Sequence, residues 1–182
     1  NAENRIVSVN QAFTKITGYM AEEAIGQPSE MLRSSKHTEN SYATLVQQLF
    51  EAGHWDGEIW NHHKDGRSFP VWLSISVVRN EHGAIENYIS VFTDITERKR
   101  SELLTAGDRR VFERITSNAE LTATLEAITE TAEKVTPDAL CTVSIYEAET
   151  NTLHHVAGTR LPHDYLSAKQ RLEIGPRNGS CA

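Results

Sequence analysis

Cysteine is nearly absent: Cys141 and Cys181 are the only two in 182 residues. So few thiols exclude a disulfide-stapled scaffold and point to a reducing, cytoplasmic setting. With 38% hydrophobic residues, the chain has no apolar run long enough to span a bilayer. It has no excess of positive charge either. The net charge of −7 argues against nonspecific binding to nucleic acid or to an acidic membrane surface. There is no Gly-rich phosphate loop, no paired-cysteine metal motif and no Ser-His-Asp arrangement with supporting spacing, so no catalytic constellation emerges. An initiator Met, a signal peptide and a targeting tail are also missing, and the segment is expected to be internal to a longer protein.

The richest pattern lies between Trp55 and Thr96, where three β-rich runs are separated by the turns Lys64–Arg67 and Asn80–Gly83. In the middle run Phe69, Val71, Leu73, Ile75 and Val77 alternate with Pro70, Trp72, Ser74, Ser76 and Val78. A period of two places the first set on one face of a strand. Gly66 and Gly83 supply the positive φ that hairpin turns require. The expectation is an antiparallel three-stranded meander with one face turned to a core.

Before this stretch, Arg5–Asn10 reads as a short strand, Gln11–Thr17 as a helix broken by Gly18, and Ala21–Ile25 as a helical turn ended by Gly26 and Pro28. Thr38–Ala52 carries an apolar stripe of Tyr42, Leu45, Val46, Leu49 and Phe50, with Thr38 as a cap and Gly53 as a stop. After Thr96 the chain turns charged. Glu97–Arg114 reads as a helix with Leu104, Val111 and Ile115 at heptad-like spacing, alongside Leu103 and Phe112, interrupted at Gly107 and Asp108. Such a helix either pairs with a second copy or packs on its own domain. Ser117-x-x-Glu120 has the form of a capping box opening a helix to Val135, with Leu121, Leu125, Ile128, Ala132 and Val135 as its stripe. Strands are expected at Ala139–Glu147 and Asn151–Thr159, a short helix at His163–Leu172, and a loop from Ile174 onward.

The order strand, short helices, longer helix and antiparallel meander, with the strings VNQAFTKITGY, EEAIG, GHWDGEIWNHHKDGRSFPVWLSIS and YISVFTDITERK, resembles a bacterial PAS domain over residues 5 to about 99. The WDGEIWN string is especially similar to PAS domains placed ahead of cyclic-di-GMP synthesis and hydrolysis domains. Residues 118–182, through VTPDALCTVSIYEAETNTLHHVAGTRLP and IGPRNGSCA, resemble the first half of a GAF domain. The implied architecture is α+β: a PAS domain over residues 1–96 lacking its first strand, a helical linker over 97–117, and a partial GAF domain over 118–182. The absent strand would lie at the centre of a PAS sheet, and its loss leaves two edges unpaired.

By resemblance to flavin-binding PAS and LOV domains, Asn61, Val71, Leu73, Ile75, Ser90 and Phe92 take inward positions around a small-molecule pocket. Trp55 either packs against a bound ring or is plain core, and Asn61 either contacts a ligand or fixes its strand. LOV photochemistry is excluded. Ser29 stands near the position of the reactive cysteine, and Phe92 stands where LOV domains place a glutamine. A cofactor-free or small-molecule PAS is expected first, FAD next, and haem last through His37 as axial ligand. His54, His62, His63 and His82 lie at or near turns, and adjacent His62 and His63 face opposite ways on a strand, so no metal site is expected.

The resemblance assigns signal relay to Asp94, Ile95 and Thr96, where Asp94 or Thr96 caps the following helix. It also suggests a pair between Glu22 or Glu23 and Lys64, and marks Met20 as a departure from the usual Ser or Thr cap, leaving that helix prone to fraying. Together these features imply a non-catalytic sensory module. It is expected to form a homodimer through the linker helix, to bind no nucleic acid, and to feed an output domain in the same parent chain. That output is a cyclic-di-GMP enzyme or a sensor histidine kinase. A redox or oxygen sensor acting by protein–protein contact is the third reading.

Overall fold

The computed structural model describes residues 1–36, 39–158, 160–162, 164 and 171–174. Thr38, His37 and Cys181 lie outside the described residues. The chain divides into two compact units, Asn1–Glu97 and Arg98–Ala182.

In the first unit the turn residues and the alternation produce the meander directly. Strands β1 (His54–His62), β2 (Ser68–Arg79) and β3 (Ile85–Asp94) form an antiparallel sheet in the order β1-β2-β3. Gly66 and Gly83 take φ of +98° and +79° in the two turns. Phe69, Val71 and Leu73 of β2 are the buried centre, with Ile16, Trp55, Ile59, Ile75 and Phe92 packed against them. Burying each such side chain contributes about 1.5–3 kcal/mol, so this row sets the register of the sheet.

Three helices cover the inward face. In α1 (Gln11–Thr17) the Asn10 carboxamide accepts the Phe13 N–H at 2.9 Å, and Gly18 ends the helix at φ +79°. The Phe13 ring meets Phe92 edge-on with centroids 6.1 Å apart. A four-residue α2 (Ala21–Ala24) follows, then a single 3-10 turn at Ser29–Leu32. Helix α3 (Glu39–Ala52) buries Leu45 and Leu49 of the expected stripe and leaves Phe50 exposed. Gly53 closes it, donating its N–H to the Leu49 carbonyl.

The expected strand at Arg5–Asn10 is reduced to a bridge. Arg5 pairs with Pro28, and Ile6 exchanges hydrogen bonds with Gly26 and Gln27. Among the described residues no ladder continues from Val7 to Asn10. The β propensity is present, but a strand needs a neighbour, and among the described residues neither the free side of this segment nor the outer edge of β3 has one.

The second unit contains most of α4 (Thr96–Thr116), with α5 (Leu121–Val135) and an antiparallel sheet β4-β5-β6 of Val143–Glu147, Thr152–Ala157 and Arg171–Glu173. Four expectations change here. Gly107 and Asp108 do not interrupt α4. Gly107 is instead the point where α4 meets Thr131 of α5. The Ser117…Glu120 pair is not a capping box: the Ser117 hydroxyl donates back to the Arg114 carbonyl, Asn118 takes φ +55°, and α5 begins at Leu121 without a side-chain cap. Strand β4 starts at Val143 because Ala139 is held in a turn on Thr136 and the Cys141 N–H is bound by the Glu133 carboxylate. Leu172 lies in β6, paired with Leu153, and not in a helix.

The Gly107 contact gives a direct test. A β-carbon there would lie 2.1 Å from Cγ2 and 2.9 Å from Cβ of Thr131, so the crossing must open. Gly107→Ala is expected to lower the stability of the second unit by about 1–3 kcal/mol, although alanine improves helix propensity by roughly 1 kcal/mol. Urea unfolding of Gly107→Ala, Thr131→Ala and the double variant measures this. The account requires the double variant to recover part of the loss.

Candidate functional site

The meander and the covering elements enclose a cavity of about 600 Å³ in the first unit. Its sheet wall is built in rows set by the register. Trp55, Ile75 and Ser90 lie side by side across the three strands, then Gly57, Leu73 and Phe92, then Ile59, Val71 and Asp94, with Asn61 beside Phe69 at the end. All six residues of the candidate pocket, Trp55, Asn61, Leu73, Ile75, Ser90 and Phe92, line this cavity. Val71 is fully buried in the core and is not part of the lining. Opposite the sheet stand Leu45, Val46 and Leu49 of α3, Phe13 of α1, and Ile6 and Val7. The space is large enough for a drug-sized ligand, and its walls are mostly apolar, as in ordinary ligand pockets.

Trp55 reaches this wall because Gly57 makes room for it. A β-carbon at Gly57 would lie 2.8 Å from Cζ2 of the Trp55 indole. Asn61 is one of the polar residues in the mostly apolar sheet wall, with Ser90 and Glu58. It is 4% exposed, lines the cavity, and among the described residues its carboxamide makes no hydrogen bond. Beside it Arg33 pairs with Asn61 across a backbone bridge, and the Ser34 N–H donates to the Trp60 carbonyl. The Arg33 guanidinium lies over the Tyr42 ring, 4.5 Å from its centroid. Burial, then the Glu30 carboxylate, pushes the Tyr42 hydroxyl above its ordinary pKa. Sequence reasoning missed Arg33 and Glu30 as cavity residues. Both lie at a 3-10 turn with no periodic signal, and only the bridge to Asn61 brings that turn to the wall.

Of the histidines, His54 contacts Asp56 and Ser76, and His63 contacts Asp65 in the β1–β2 turn. The His63 ring also packs over Gly18, and the Lys64 N–H donates to the Thr17 carbonyl, so this turn clamps the end of α1. Lys64 pairs with Glu23, the second of the two glutamates expected for that contact. The Glu23 carboxylate also accepts the Met20 N–H at 2.8 Å, which supplies part of the capping that Met20 lacks. Lys64, then the Met20 amide, holds Glu23 below the usual carboxylate range. Its share of stability is therefore present above the unfolded pKa and is lost as the pH falls through the lowered folded value. Among the described residues no group of His, Cys, Asp and Glu is placed to hold a metal ion.

At the far end of β3, Asp94, Ile95 and Thr96 form one hydrogen-bonded step. The Asp94 carboxylate accepts the Thr96 N–H at 2.8 Å and its hydroxyl at 2.6 Å. Ile95 is buried and donates its N–H to the Pro70 carbonyl at 3.0 Å. Pro70 has no N–H to return, so the β2–β3 ladder stops there and the chain leaves as α4.

Residues 1–97 match the family model described as a PAS domain. The chain belongs to the PAS domain family. Its first unit is accordingly a sensory, non-catalytic input module of the kind found in signalling proteins, with the α+β PAS fold. It is 38% identical over 96 residues to a methyl sulfide methyltransferase-associated sensor of Methanosarcina acetivorans, matching 53% of this chain and 10% of that protein. It is 30% identical over 96 residues to a nitrogen fixation regulatory protein of Klebsiella oxytoca, and 33% identical over 99 residues to a blue-light-activated histidine kinase of Brucella anthropi. These two matches cover 53% and 52% of this chain and 19% of each relative. The chain thus spans a fifth or less of the length of these relatives. A solved PAS domain from Colwellia psychrerythraea is 28% identical, with a TM-score of 0.49 over 52% of this chain and 80% of that one. No described helix is long and apolar enough to cross a membrane.

Gly57→Ala tests whether Trp55 forms the wall of the PAS cavity. The added methyl must displace the indole, shifting the Trp55 indole N–H resonance and costing about 1–3 kcal/mol. An unmoved resonance with unchanged stability contradicts the packing described above.

Proposed function

We propose that this chain is the sensory part of a longer cytoplasmic signalling protein. A small molecule held in the PAS cavity biases α4 through Asp94, Ile95 and Thr96. Helix α4 passes the bias to a GAF-type domain over residues 118–182 and to an output domain in the same parent chain. The observation that carries this reading is the continuity of β3: Ser90 and Phe92 line the cavity, and two residues later the same strand supplies the Asp94 cap of α4. A cap contributes about 1 kcal/mol, enough to shift a two-state helix several-fold.

Cyclic-di-GMP synthesis or hydrolysis is the first reading of the output, supported by the WDGEIWN string and the order of PAS, helix and GAF-like segments. A histidine kinase is the second, favoured by the relatives that carry that name. Leu104 and Ile115, exposed at heptad-like spacing with Val111 on α4, support pairing with a second copy. No cofactor or a colourless small molecule is expected first. FAD is next, since Trp55 and Asn61 both face the cavity, and haem last, since it rests on His37 alone.

Two measurements test the proposal. The absorbance spectrum of the purified chain is expected to show neither flavin bands nor a Soret band. In the parent protein Asp94→Ala is expected to uncouple output from input while costing the PAS domain only about 1 kcal/mol. Full wild-type regulation in that variant would falsify the relay.

A further inference from the structure

Helices α4 and α5 run antiparallel, because residues 117–120 alone join them and Gly107 of one meets Thr131 of the other. These two facing residues fix the rotation of both helices. Leu104 and Val111 stand three residues before and four residues after Gly107, and Ile128 and Val135 stand at the same offsets from Thr131. At about 3.6 residues per turn, these offsets turn each pair of residues to one flank of its helix. Equal offsets in an antiparallel pair lie on the same side, so all four residues share one face. Ile115 and Leu121 continue that face toward the connection between the helices. The face therefore has three apolar levels: Leu104 with Val135, Val111 with Ile128, and Ile115 with Leu121.

This face is left in water. Leu104 is 44% exposed, Ile115 60%, Leu121 61% and Ile128 41%, and Phe112 at its edge is 66% exposed. The opposite flank is of another kind. There Arg110 and Glu130 bridge the two helices at 3.4 Å and Lys134 also pairs with Glu130, although Leu103 falls on that flank too. The exposed apolar side chains form a patch on the order of 500 Å², at the upper end of what a monomer leaves in water. A standard interface takes about 800 Å² from each partner, so the patch is more than half of one. Its period of seven, Leu104 to Val111 and Leu121 to Ile128 to Val135, is that of helices packed in a bundle. A second copy presents the same levels at the same spacing, so a two-fold axis through the face matches them. Asp108 is the one charge beside these residues on α4, and it selects no oppositely charged surface of any size. A lone polar residue in such a seam fixes register at a cost in stability.

We infer that the chain dimerises through this two-helix face, with α4 and α5 of each copy forming one four-helix bundle. This rests on the reading that α4 pairs with a second copy, and it adds α5 as half of the contact. Sedimentation equilibrium of the full chain tests it, with Ile115→Glu on α4, Leu121→Glu on α5, and Asp108→Ala in the seam. The two glutamates replace exposed side chains, so both variants are expected to fold, which circular dichroism checks. The unsubstituted chain is expected to be a dimer, and each Glu variant to raise its Kd at least about tenfold. Asp108→Ala is expected to lower the Kd, a gain that loss of folding cannot mimic. A dimer weakened by Ile115→Glu but not by Leu121→Glu overturns the share given to α5 and leaves pairing through α4 alone. An Asp108→Ala dimer no tighter than the unsubstituted one overturns the placement of the seam. A chain that stays monomeric, or a dimer that both Glu variants leave intact, overturns the bundle and the α4 reading together.

Discussion

The first unit depends on the burial of one face of β2. Phe69, Val71 and Leu73 are the buried row of the central strand, and both neighbouring strands are paired to it along most of their length. A slip of one residue would turn this row to solvent and bring Trp72 and Ser74 inward, so the hydrophobic pattern leaves a single register. That register also fixes the cavity. It aligns Trp55 with Ile75 and Ser90, and Gly57 with Leu73 and Phe92, and it leaves Asp94 beside Val71 where the ladder ends. The cavity wall and the start of α4 are therefore consequences of one packing constraint.

Much of this was legible because it is local. Period-two alternation and the two glycine turns specify the meander, and the resemblance placed six residues that do line one cavity. The apolar stripe of α3 likewise foretold its buried face at Leu45 and Leu49. What was not legible depends on partners distant in sequence. Arg5–Asn10 has the composition of a strand but only a bridge to Pro28. Gly107 reads as a helix break, yet it serves as the close approach of α4 to α5, where its missing side chain is what Thr131 requires. Ser117 has the identity of an N-cap, but its hydroxyl is taken by the preceding helix. Arg33 carried no signal because nothing in its own neighbourhood announces the bridge to Asn61.

In functional terms the PAS unit joins two features that the sequence only juxtaposes. One is a mostly apolar cavity with the Asn61 carboxamide and the Ser90 hydroxyl in its sheet wall. The other is a carboxylate cap on a helix that begins two residues after the last strand. Between them lie Phe92, packed on the core and edge-on to Phe13, and Ile95, buried and bound to Pro70. In the proposed relay a change in cavity filling acts on Phe92 first and reaches Asp94 along the same strand. The proposed chain of effects is thus short and lies on a single strand.

The central claim is that filling the cavity is felt at the Asp94 cap. Hydrogen exchange on the full chain carrying Ser90→Trp tests it most directly, because the indole occupies the cavity without any assumption about the natural ligand. The account predicts altered protection of the Thr96 amide and the first turn of α4, alongside the expected change in β3. Altered exchange confined to the sheet, with the first turn of α4 unchanged, would contradict it.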